Sequence, residues 1–140
     1  MSILDIDHVL LSMPAGAEDK ARAFYTGVLQ LTEMTKPAAL AARGGAWFTN
    51  GHVQIHLGVE KDFRAARKAH PALLVRDLQG FIDRARAQGY ELATDEPLAG
   101  YNRIFVYDPF GNRLELMELS SRPSERSERE PGPSNPGARA

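Results

Sequence analysis

The chain has 140 residues, 43% hydrophobic and 25% charged, enough for one domain with a sizeable core. Seventeen Lys and Arg against eighteen Asp and Glu leave a formal charge of -1, which disfavours a nucleic-acid-binding surface. The absence of cysteine excludes disulfides, thiolate metal sites and a cysteine nucleophile, and it fits a reducing cytoplasm.

The opening stretch 3–13, ILDIDHVLLSM, reads as a strand. Asp5, Asp7 and His8 interrupt it and no basic region precedes it, so it carries no targeting pattern. No apolar run approaches the ~20 residues of a membrane helix. A helix is expected over about 16–30, where Ala21, Phe24, Tyr25, Val28 and Leu29 form an apolar stripe. Short strands follow near 32–36, 45–49 and 52–59, with Asn50-Gly51 as the hairpin turn between the last two. Residues 60–68 read as a polar connector with helical potential.

The order then repeats. A strand covers 70–75, and a helix begins after Asp77 as N-cap and ends at Gly89. Leu78, Phe81, Ile82 and Ala85 make its buried stripe. Strands follow near 90–94, 102–107 and 112–119, the last two joined by the turn Asp108-Pro109-Phe110-Gly111-Asn112. The chain is therefore α+β and reads β-α-β-β-β twice, module 1 over about 3–59 and module 2 over about 70–119. The stretch 120–140 holds four of the nine prolines and almost no apolar side chains, so it is expected to be a disordered tail. Without its four Arg and three Glu, the folded part has 13 basic and 15 acidic residues.

Strand alternation sorts the side chains. One face of each strand is smoothly apolar and should pack on the helices. The other face carries His8, His56, His70, Arg103 and Glu115. Neutral imidazoles with one carboxylate are the usual donors for a divalent first-row metal. His8 and His70 open the two modules, and His56 and Glu115 sit on the closing strands. His56 lies five residues after Gly51 and Glu115 four after Gly111, an offset that a bulge or longer turn absorbs. Each residue has a plainer reading as well: a packed or surface histidine, or a Glu115 paired with Arg103 or Arg113. His52, beside the turn, reads as solvated, as do Glu60 and Lys68. Phe105, Tyr107, Trp47 and Phe48 are either pocket walls or core.

The sequence resembles the vicinal oxygen chelate superfamily, which includes glyoxalase I, fosfomycin-resistance thiol transferases, extradiol dioxygenases and bleomycin-resistance proteins. The resemblance rests on Ile6-Asp7-His8-Val9, on the helix end Phe24-Tyr25-Thr26-Gly27-Val28-Leu29, on Val53-Gln54-Ile55-His56-Leu57, on His70-Pro71-Ala72-Leu73-Leu74-Val75, and on Asp108-Pro109-Phe110-Gly111-Asn112-Arg113-Leu114-Glu115. It covers about 1–119. It implies curved sheets forming a cup, with a divalent ion (Zn, Ni, Mn, Co or Fe) held by His8, His70 and Glu115. His56 stands where bacterial glyoxalase I uses a glutamate. With His56 as a fourth ligand the set carries one negative charge instead of two.

The resemblance further implies a metal-dependent enzyme of glyoxalase or fosfomycin-resistance type, whose substrate has two adjacent oxygens. In that scheme Glu115 is the general base, and Arg103, Phe105 and Tyr107 hold the substrate. The alternatives are a sequestering protein of the bleomycin-resistance kind, or an Fe(II) extradiol-type dioxygenase. Short members of the family imply a cytoplasmic homodimer with shared sites, a small-molecule substrate, and neither nucleic acid nor membrane as partner.

Overall fold

The computed structural model describes residues 1–120, so the expected tail lies almost wholly outside the described residues. Module 1 comprises β1 (Val9–Met13), α1 (Glu18–Tyr25), β2 (Thr32–Met34), α2 (Ala38–Ala41), β3 (Ala46–Thr49) and β4 (Gln54–Val59). Module 2 comprises β5 (Ala72–Leu74), α3 (Leu78–Ala87), β6 (Leu92–Ala93), β7 (Tyr101–Tyr107) and β8 (Arg113–Leu119). Each module folds into its own four-stranded curved sheet, in the orders β1-β4-β3-β2 and β5-β8-β7-β6. β1 runs parallel to β4 and β5 parallel to β8, while the remaining pairs are antiparallel. The duplicated β-α-β-β-β topology is thus present.

Turn chemistry sets both hairpins. Asn50 Oδ1 accepts from the backbone N–H of His52 and Val53 at 2.9 Å, and Gly51 takes φ 92°. Asp108 Oδ1 accepts from the N–H of Phe110 and Asn112 at 2.9 Å, and Gly111 again takes φ 92°. Asp77 caps α3 by accepting from Gly80 N–H.

Several boundaries differ from expectation. β1 starts only at Val9, and Ile3, Leu4 and Ile6 are 96%, 92% and 76% exposed. α1 ends at Tyr25, where the ladder widens: the N–H groups of Gly27 and Leu29 reach back five residues, to the carbonyls of Arg22 and Phe24. Val28 and Leu29 are nonetheless buried. The short α2 was not expected, and residues 60–68 contain no helix.

The inner faces of both sheets and the helices share one hydrophobic core. Phe24 of α1 meets Tyr90 of module 2 edge-on, and Tyr25 stacks on Phe48, which places Phe48 in the core and not on a pocket wall. A buried polar knot fastens the modules. Tyr25 Oη donates to Asp108 Oδ2 at 2.7 Å, and Asn112 Nδ2 donates to Ser12 O at 2.8 Å and to Asp108 Oδ2 at 3.1 Å. Asn112 Oδ1 accepts from Ala66 N–H at 2.9 Å. Burial pushes both the Asp108 carboxyl and the Tyr25 hydroxyl up. Among the described residues no helix is long and apolar enough to cross a membrane.

Candidate metal centre

The outer face of the first sheet is built around a stack of rings. Strand register sets Trp47 of β3 beside His56 of β4, with Leu10 of β1 on the other side. His56 is 5% exposed and lies flat between Trp47, at 4.0 Å and 7°, and His8, at 4.1 Å and 10°. His56 Nε2 faces Gln54 Oε1 at 3.2 Å. Burial, followed by the neighbouring His8, holds the His56 imidazole below its ordinary value. His8 itself sits just before β1, with Nδ1 2.9 Å from Asp7 Oδ2.

The second sheet carries charges on the equivalent face. Glu115 of β8 is 6% exposed and pairs in register with Phe105 of β7 and Ala72 of β5. Its Oε1 lies 3.0 Å from His70 Nε2, and its Oε2 accepts from Arg103 Nη1 at 3.0 Å. Arg103 also donates from Nη2 to the Glu96 carbonyl. Its Nε is buried with no hydrogen-bond partner among the described residues. Phe105 meets the His70 ring edge-on at 5.2 Å. Arg113 lies over Phe105 at 4.5 Å and donates from Nε and Nη2 to Tyr107 Oη at 3.0 and 2.8 Å. Arg67 covers Tyr107 at 4.3 Å and pairs with Glu91 at 3.2 Å.

The donor set of the second sheet suits a cation. His70 Nδ1 lies 2.8 Å from the Lys68 carbonyl oxygen, an acceptor only, so Nδ1 carries a proton. Nε2 faces a carboxylate oxygen at 3.0 Å, a pair of donors that either a proton or a metal ion could bridge. The Asp7 carboxylate fixes His8 in the same way, leaving Nε2 as its donor.

His56 is arranged differently. Ring nitrogens donate in the ring plane, so two parallel rings 4.1 Å apart aim at parallel lines and do not converge on one ion. To bind an ion beside His8 it would have to leave the stack. The four candidates therefore stand in two pairs, His8 with His56 and His70 with Glu115. Among the described residues no three His, Cys, Asp or Glu side chains of one chain are placed to hold a metal ion together.

Of the expected substrate residues, Arg103 is engaged by Glu115, and Phe105 and Tyr107 are 5% and 4% exposed, with guanidinium groups lying over their rings. His52 is exposed beside its turn. Sequence reasoning missed Asp7, Gln54 and Arg67 as members of these clusters, and it gave Arg113 only as a partner for Glu115. Alternation with Glu115 on β8 was the signal that places Arg113 on the site face.

The sequence model of the Glyoxalase/Bleomycin resistance protein/Dioxygenase superfamily matches residues 5–116. Among solved structures, a glyoxalase family protein from Bacillus anthracis shares 42% identity, with TM-score 0.80 over 86% of this chain and 98% of that one. The fosfomycin resistance protein FosX from Listeria monocytogenes is 18% identical in a form complexed with Mn(II) and 1S,2S-dihydroxypropylphosphonic acid. Its TM-score is 0.72, over 91% of this chain and 100% of that one, a likeness of fold. An integron cassette protein from the Halifax Harbour sewage outfall metagenome, also 18% identical, covers 84% of this chain and 100% of its own, with TM-score 0.64. No curated protein sequence matches the chain.

Proposed function

The chain belongs to the glyoxalase/bleomycin resistance protein/dioxygenase superfamily, and from that premise we propose that it is a metal-dependent enzyme acting on a small substrate with two adjacent oxygens. The observation that carries this reading is His70 Nε2 set 3.0 Å from Glu115 Oε1, with Nδ1 anchored on Lys68. His70 and Glu115 would hold a divalent ion together with His8. When bound, such an ion polarises the substrate oxygens and stabilises the oxyanion that develops.

Glu115 is the proton acceptor of the site. Arg103 holds Oε2 at 3.0 Å, so the carboxylate would keep its orientation when Oε1 leaves the ion and takes up the proton. In a site shared between subunits the stacked His56 and Trp47 would form the opposite wall.

The site needs two subunits in this proposal, His8 and His56 coming from one and His70 and Glu115 from the other. The pairs stand apart within one chain, and both first strands are sheet edges with an exposed leucine on the outer face, Leu10 at 57% and Leu74 at 72%. The exposed Ile3, Leu4 and Ile6 extend this uncovered apolar strip. The enzyme would work as a homodimer in the cytoplasm.

The deciding experiment is metal analysis after anaerobic purification, combined with sedimentation and an activity screen using the metal found. A dimer with one tightly held ion per site and an open coordination position is expected. A cup that binds small molecules without metal would sink the enzymatic reading in favour of sequestration. Oxygen uptake with catechols in the Fe(II)-loaded protein would redirect it to dioxygenase chemistry.

A further inference from the structure

Three guanidinium groups gather on the aromatic shelf of β7, and their partners differ. Arg67 is paired with Glu91 at 3.2 Å, and Arg103 with Glu115 at 3.0 Å. Arg113 has no carboxylate partner among the described residues. Its Nε and Nη2 share one phenol oxygen, that of Tyr107, while its plane rests on Phe105. No hydrogen bond engages Nη1 among the described residues, so one edge of the fork is left open. Alternation along β8 puts this group on the same face as Glu115, two residues away.

A guanidinium held rigid by stacking and by a neutral acceptor is a ready recognition element for an oxyanion. The ordering of its long side chain is already complete, and the open edge presents two N–H groups in the geometry of a carboxylate or phosphate. Arg103 cannot take this role while it steadies Glu115.

Resting on the reading of this face as the substrate cup, we propose that Arg113 anchors an anionic group of the substrate, a carboxylate or a phosphate-type oxyanion, beside the oxygens that meet the ion. The substrate class is thereby a small acid whose charge lies next to its reacting oxygens. Tyr107 is the positioning residue: its hydroxyl fixes the fork and keeps its proton free to donate to the same anion.

Inorganic phosphate titrated calorimetrically into the full-length protein, with and without Mn(II), tests this. The parent is expected to bind phosphate, and Arg113→Gln to weaken it by about tenfold or more, the usual loss for a charge-assisted hydrogen bond. Arg113→Lys keeps the charge without the fork and should fall between the two. Arg86→Gln, an exposed arginine of α3 away from this face, should change the affinity by less than about twofold. All variants should take up Mn(II) as the parent does. The inference is overturned if the parent does not bind phosphate, if Arg113→Gln binds it as the parent does, or if its loss is matched by loss of Mn(II). Should the parent take up no Mn(II), the metal reading falls, while the titration of the metal-free protein still decides the role of Arg113.

Discussion

At matching points the two sheets carry different chemistry. In the first, Trp47 flanks His56 in register; in the second, Phe105 flanks Glu115. The first position is a flat stack of rings and the second a cluster of charged groups tied to His70 and Arg103. Nine residues separate Trp47 from His56 and ten separate Phe105 from Glu115, and the longer second turn absorbs the difference. A repeated backbone therefore fixes where a side chain stands and leaves its task to the residue placed there. His56 and Glu115 are positional equivalents, one held flat in a ring stack and the other held by an imidazole and a guanidinium.

The comparison breaks most sharply by exchange of these residues. Glu115→Ala should abolish tight divalent-metal binding, and His70→Ala and His8→Ala should do the same, because an opened coordination position is filled poorly by water. His56→Ala should leave uptake close to the parent if the stack is its resting place. A loss equal to that of Glu115→Ala would make the two modules functionally alike. Metal content after dialysis reads all four.

Next in size is the joint between the modules. Asp108→Ala removes the acceptor of Tyr25 Oη, of Asn112 Nδ2 and of two backbone N–H groups. It should cost about 3 kcal/mol in urea unfolding, since buried donors are left unmet. Trp47→Leu should cost about 1 kcal/mol by unstacking His56 and should spare the metal. A large metal loss there would show that the stack shapes the ion site as well.

The smallest effect is in pH. Burial holds the His56 imidazole below its ordinary 6.5, so the unfolded chain takes up that proton first. Stability of the metal-free protein is full above 6.5 and falls as the pH drops through it towards the folded-state value. His56→Asn should flatten that part of the curve, as followed by melting temperature between pH 5 and 7.5 (~1 unit either side of the histidine range).

The double module was legible because punctuation and alternation agreed along the chain: Asn50-Gly51, Asp77, Gly89 and the Asp108–Asn112 turn all stand where the elements change. The opening strand was read too long because 3–8 alternates like a strand, while only Val9–Met13 has a partner within the chain. The end of α1 was missed because the apolar stripe continues to Leu29, past the point where the backbone bonds widen. On the site face, alternation found His56, His70, Arg103 and Glu115, but not who holds whom. Alternation offered Arg103 and Arg113 alike as partners of Glu115; that Arg103 is the one engaged depends on side-chain conformations that no spacing encodes.

The turn at Asp108–Asn112 also bears on how such a chain is inherited. Its carboxylate and amide reach into module 1, through Tyr25 and Ser12, while its backbone launches the strand that carries Glu115. Cutting the chain within the connector 60–71 would leave each half with a complete sheet and an unmet share of this knot. The halves should then find each other in solution and rebuild one domain, as two pieces that duplication made similar and one short turn made inseparable.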